Sequence, residues 1–301
     1  MKTGTAVLLT LVLAVAAPKS AAPQSIVYGS NPTAGHYFEH DGVRLYYEVY
    51  GRGPPLLVIH GNGLSIWWMK DQIAYFSRHY QVIAMDSRDH GKSADAPGPL
   101  TFEQMADDLG ALLEHLHTGP ALVLGWSDGG VEALLLGMRH PDKVLKIAAM
   151  AANLYPEGIR PEVLKLFGAA PEAQGSADSR TERVKALVRT QPHIRPEDLM
   201  TITAPTLVLA ADHDLILDEH TLEIYHHLPN GQLVIFPNAT HMISVDDPQR
   251  FNAAVASFFR EPFVRKDRLS DVLKSLDRLK QEEAVEESRS PSGPRKADSR
   301  D

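Results

Sequence analysis

Three short stretches of this 301-residue chain carry residue types that could share one reaction. Ser127 stands in Gly125-Trp126-Ser127-Asp128-Gly129, Asp214 closes Ala211-Asp212-His213-Asp214, and His241 ends Pro237-Asn238-Ala239-Thr240-His241. A serine hydroxyl is a weak nucleophile; it needs a general base, and that base needs an acid to orient it. Serine, acid and histidine in this chain order suit such a relay. A sharp turn crowds the positions two before and two after its nucleophile. Gly125 and Gly129 meet that demand around Ser127, whereas an aspartate nucleophile at 128 would put Trp126 in the crowded place. The steric argument therefore favours Ser127.

Each of these residues needs an element to hold it. Leu122-Val123-Leu124 ends a buried strand and Val131 to Met138 begins a helix, so Ser127 falls in a strand–turn–helix. The acid should follow a late strand, and Thr206 to Ala210 is one; Asp214 is preferred, with Asp212 in reserve. Either carboxylate could instead merely cap the helix near Asp218. The base should follow the last strand, Gln232 to Phe236. Among 14 histidines, His226 and His227 fall inside a predicted helix, and His241 alone has the loop position required. An oxyanion hole needs backbone N–H groups. Asp128 N–H, at a helix start where the dipole helps, is one candidate. Asn62 N–H, from His60-Gly61-Asn62-Gly63 after the strand Leu56 to Ile59, is the other. Trp67, Trp68, Met69 and Met242 are candidates for an apolar acyl or alcohol pocket, although such side chains are more often ordinary core.

Val43 to Tyr50 alternates as an antiparallel strand, and further apolar runs lie at Val82 to Met85 and Val144 to Met150. Helix-period segments at Trp67 to Ser77, Phe102 to His117, Gly129 to Arg139, Glu219 to Leu228 and Pro248 to Arg260 lie between such runs. This alternation predicts an α/β fold, a mostly parallel sheet with helices on both faces. Right-handed crossovers then gather the loops at the strands' C-terminal ends along one edge, where the chemistry should sit. Asn153 to Ala204 lacks a buried strand and reads as a small helical cap (153–204), with a polar, mobile stretch from Pro171 to Arg180.

The expected organisation is a signal peptide at 1–22, a catalytic domain at 23–264, and a charged C-terminal segment at 265–301. That last segment should form one amphipathic helix packed on its own domain, then a disordered tail from about Glu286. At the N-terminus, Met1-Lys2 precedes an apolar run from Ala6 to Ala17 and small residues near Ala22. The run is shorter than the ~20 residues of a membrane span. It predicts an exported protein, periplasmic or secreted, with an uncleaved anchor as the alternative. A net charge of −8 without long basic runs argues against nucleic acid as a partner. With no cysteine, thiolate chemistry and disulfides are excluded. Asp212, His213 and Asp214 lack a convincing metal-ligand pattern, so neither metal nor cofactor is expected.

Taken together, these pieces resemble the α/β-hydrolase superfamily over roughly Tyr46 to Phe259. The matching features are His60-Gly61-Asn62-Gly63, Asp86-Ser87-Arg88-Asp89-His90-Gly91-Lys92-Ser93, the serine turn, Asp214 and Thr240-His241. Asp89 stands where the family usually has glycine, and Ala211 replaces a frequent glycine before the acid loop. Aspartate tolerates the left-handed turn that a glycine would supply. Gly-Trp-Ser-Asp-Gly-Gly is also similar to the elbow of the valacyclovirase (biphenyl-hydrolase-like) group. In that group the aspartate after the serine helps bind the amino group of aminoacyl esters, which would make Asp128 a substrate-binding residue. The expected reaction is hydrolysis of a small carboxylic ester, or related acyl bond, through an acyl-enzyme. Enol-lactone hydrolysis, C–C hydrolysis and cofactor-free haloperoxidase or perhydrolase chemistry use similar triads. A ligand-binding protein retaining a slow triad is the alternative of another class. Substrate identity and oligomeric state stay open.

Overall fold

The computed structural model describes residues 26–168, 179–265 and 268–289. The expected signal peptide, most of the polar stretch from Pro171, and the chain after Arg289 lie outside these residues. Eight strands form one sheet: β1 (Gly35–His40), β2 (Val43–Tyr50), β3 (Pro55–Ile59), β4 (Gln81–Asp86), β5 (Ala121–Trp126), β6 (Val144–Met150), β7 (Thr206–His213) and β8 (Gly231–Thr240). Their spatial order is β1-β2-β4-β3-β5-β6-β7-β8. Only β2 runs against its neighbours; β4, β3 and β5 to β8 are parallel. The chain reverses its direction of travel across the sheet at β3, so the C-terminal ends of β3 and β5 flank the switch point where α/β sheets place their ligands.

The helices among the described residues are α1 (Lys70–Phe76), α2 (Phe102–His115), α3 (Asp128–Arg139), α4 (Pro161–Leu166), α5 (Arg180–Thr190), α6 (Asp218–His227), α7 (Ile243–Asp246), α8 (Pro248–Arg260) and α9 (Arg268–Arg289). Two apolar clusters sandwich the sheet. One packs α2 and α3 against Leu57, Val123 and Ile147; the other packs α1 and α8 against Leu56, Val58 and Leu124. Successive residues of β3 and β5 thus serve opposite faces, which is why these strands read as unbroken apolar runs. α4, α5 and two short 3₁₀ turns occupy the connection between β6 and β7.

Two sequence expectations change. β1 was not anticipated, because an edge strand with one buried side chain, Phe38, carries little apolar signal. α9 runs three residues past Glu286, and its Val272, Leu273, Leu276 and Leu279 are 47–55% exposed rather than packed on the domain. Half of its 22 residues are charged, and Asp271–Lys274 and Arg278–Glu282 pair along the helix. A helix supported by its own ion pairs can stand without burying its stripe. Among the described residues no helix is long and apolar enough to cross a membrane.

Candidate active site

Ser127 sits between β5 and α3 with φ 59° and ψ −120°, a strained conformation for a non-glycine residue. The turn is held by Ser127 N–H donating to Met150 O (2.8 Å) and by the amides of Gly130 and Val131, which donate to Ser127 O. A Cβ on Gly125 would lie 1.9 Å from Gly129 O, and one on Gly129 would lie 2.5 Å from Ile59 O. Only glycine fits either place, which is the crowding predicted for a turn centred on residue 127. Asp128 N–H is the first of α3 and has no acceptor within the helix.

The structure brings Asp214 and His241 together. Their Oδ1 and Nδ1 are 2.7 Å apart, with both side chains largely buried. Asp214 follows β7, and its carboxylate also accepts from Ala211 N–H (3.0 Å) and Leu215 N–H (2.7 Å). Burial opposes ionisation of Asp214, but the His241 contact and the Ala211 and Ile216 amides outweigh it and hold its pKa below the ordinary value. Asp212 faces elsewhere: it is exposed and accepts from Asn238 and Ala239 N–H at 2.7 and 3.0 Å, bracing the end of β8. Trp126 joins the serine turn to the histidine loop, its Nε1–H donating to His241 O at 3.0 Å. A fully buried tryptophan needs such an acceptor. Arg160, from the β6–β7 connection, donates to Asp214 O (2.8 Å), a contact no local pattern announces.

The loop after β3 abuts the turn: a Cβ on Gly61 would lie 3.1 Å from Ser127 Cβ. His60 at its base is buried. Its Nδ1 lies 2.9 Å from Gly61 O and its Nε2 accepts from Ser87 N–H. Burial lowers its pKa to about 4, so it is a neutral strut that fixes this loop to the one after β4. That second loop is wrapped around Asp86, whose carboxylate accepts from Ile66 and Lys92 N–H; Gly91, at φ 47°, leaves room for it. Asp89 adopts φ 61°, as its place in a glycine position requires, and its buried carboxylate accepts from Arg183 Nε at 2.5 Å.

Asn62 Nδ2 donates to Asp128 Oδ2 at 2.8 Å and to Val184 O at 3.1 Å. Asp128 therefore has a partner inside the protein, which the sequence did not suggest. Burial raises its pKa from 3.8 to about 6, against the lowering effects of Asn62 and His241. An acid whose pKa rises on folding contributes most stability below its unfolded value, and loses it as pH climbs toward the folded one. Asp128→Asn keeps an acceptor for Asn62 without the charge. It should gain up to about 2–3 kcal/mol over wild type above pH 6, vanishing below pH ~4. Denaturant unfolding across this pH range checks it; a constant difference would show that the carboxylate charge is not what costs stability.

Of the apolar candidates, Met69 is fully buried core. Trp68 and Met242 are half-buried against the same cluster, and Trp67 is exposed, stacked edge-on to Trp68 and under Lys70. The 3₁₀ turn Ile66–Met69 contacts α7, just after His241 and Met242, so both sets lie beside the histidine loop. Among the described residues no cluster of three or more His, Asp or Glu could hold a metal ion.

A family model described as alpha/beta hydrolase fold matches residues 54–169. The chain is 28% identical over 256 residues to 3-oxoadipate enol-lactonase 2 of Acinetobacter baylyi, covering 72% of this chain and 94% of that one. It is 27% identical to a non-heme haloperoxidase of Rhodococcus erythropolis, over 72% and 96% of the two chains. A thermophilic esterase structure from Thermogutta terrifontis superposes with a TM-score of 0.64 at 25% identity, covering 76% of this chain and 99% of that one.

Proposed function

This chain is an α/β-hydrolase by fold, and from that premise we propose that it hydrolyses a small carboxylic ester, or a related acyl bond such as a lactone, through a covalent acyl-enzyme. The observation that carries the reading is the joining of the strained Ser127 turn, through the Trp126–His241 hydrogen bond, to a histidine already paired with a buried carboxylate. His241 takes the Ser127 proton as the oxygen attacks the carbonyl carbon, and Asp214 stabilises the imidazolium. Asn62 and Asp128 N–H receive the charge on the carbonyl oxygen. The imidazolium then protonates the leaving alcohol. Water, deprotonated by His241, attacks the acyl-enzyme, and the proton returns to Ser127 as the acid leaves. Trp68 and Met242 would supply an apolar wall beside the histidine loop.

A fluorophosphonate probe should label the wild-type protein at Ser127 and leave Ser127→Ala unlabelled. Wild type should also turn over an activated short-chain ester steadily after its first burst. Equal labelling of both proteins would refute the nucleophile, and a burst without turnover would favour a binding protein.

A further inference from the structure

Two contacts, to residues 66 and 122 positions away, meet at the Asn62 side chain. Its backbone N–H is the proposed oxyanion donor, and its side-chain amide bridges two other elements: Asp128, next to the nucleophile, and the Val184 carbonyl of α5. Val184 O can only accept, so the nitrogen of the amide must face both partners, and the orientation follows from chemistry. α5 is in turn fastened to the loop after β4. Arg183 Nε donates to the buried Asp89 carboxylate, and Arg180 donates to Asp95 Oδ1 at 2.6 Å and Ser93 O at 2.8 Å. Val184 and Leu187 add buried apolar contact beneath the helix.

We infer that α5, anchored by Asp89–Arg183, positions the oxyanion loop through the Asn62 side chain, so that seating of this helix sets the rate of the acyl-transfer step. The inference rests on the hydrolase reading above. Asn62 and Asp128 supply main-chain donors to the reaction, while the Asn62 amide, the Asp128 carboxylate, Asp89 and Arg183 are positioning groups. A glycine at 89 would suit the turn but leave Arg183 only the longer contact to the exposed Asp95, at 3.5 Å. The departure from the family's pattern at this position thus supplies the buried anion among the helix's attachments. Burial supports the arrangement, because Asp128 has few routes to water and the Asn62 amide donates to its carboxylate.

The test is steady-state ester kinetics on the full-length protein, with fluorophosphonate labelling and thermal melting alongside. Asn62→Ala keeps the backbone donor and removes the bridge. It should lower kcat roughly 10- to 100-fold with KM within about twofold, the pattern of a donor misplaced at the transition state. Arg183→Ala should lower kcat in the same way, and Arg183→Lys should recover part of it. The double variant Asn62→Ala/Arg183→Ala should be no slower than the slower single variant, because both break one chain of contacts. Fully additive losses, or an Asn62→Ala protein with wild-type kcat and normal Ser127 labelling, would overturn the inference and leave the hydrolase reading standing. A fall in melting temperature with kcat and KM unchanged would make these contacts purely structural. A wild-type protein that neither labels nor turns over ester overturns the hydrolase reading, and this inference with it.

Discussion

Asp214→Asn is expected to lower kcat about 10⁴-fold with little change in KM. The carboxylate is surrounded by donors: His241 Nδ1 and Leu215 N–H at Oδ1, and Ala211 N–H at Oδ2. An asparagine must turn its NH₂ toward one of these sides. Facing Ala211 it meets another N–H; facing His241 it forces the imidazole to carry its proton on the nitrogen that should accept from Ser127. Either outcome spoils the base while the fold survives. Asp212→Asn provides the comparison, since Asp212 accepts from backbone amides of the β8 end, lies 4.0 Å from His213 Nε2 and is exposed. It should cost far less activity. Ester turnover of the two variants decides the assignment: a larger loss in Asp212→Asn would move the acid role to that residue.

The second large effect is on stability. Asp108→Ala is expected to destabilise the protein by about 3–5 kcal/mol, read as a lower denaturant midpoint. Asp108 is fully buried on α2 and accepts from Arg88 Nε (2.7 Å) and Nη2 (2.6 Å), with His40 Nδ1 2.8 Å from Oδ1. Arg88 is itself only 2% exposed, so the variant leaves a guanidinium charge in the interior without its anion. The neighbouring Asp107 is a built-in control. It pairs with Arg139 and His140 at the surface, and Asp107→Ala should cost only about 0–1 kcal/mol. Equal midpoints for the two variants would mean that water reaches Arg88. Because Arg88 lies between Asp86 and Asp89, loss of Asp108 should also loosen the loop that holds Arg183.

Much of this protein was legible in its sequence, because the governing rules act over a few residues. Gly125 and Gly129 around Ser127 state a steric requirement of one turn, and the turn closes with those two positions in backbone contact. Unbroken apolar runs alternating with helix-period segments placed β3 to β7 and the edge strand β8 in a mostly parallel sheet. The loops bearing Asp214 and His241 could be placed on one edge for the same reason.

What remained was decided by groups far apart in the chain. Asp212 lies near the end of β7 and Asp214 just after it, and only the packing of β7 beside β8 aims one at backbone amides and the other at His241. Asp128 reads from the sequence as a substrate-facing carboxylate, and the structure adds a partner for it in Asn62, 66 residues away. Asp89 looked like a tolerated exception, yet it meets Arg183, 94 residues on. β1 and the exposed stripe of α9 escaped the sequence because pattern reports how apolar a face is, not whether a neighbour covers it. Ser127 and its glycines were thus fixed by local sterics, whereas the partners that surround them depended on which distant surfaces the folded sheet brings together.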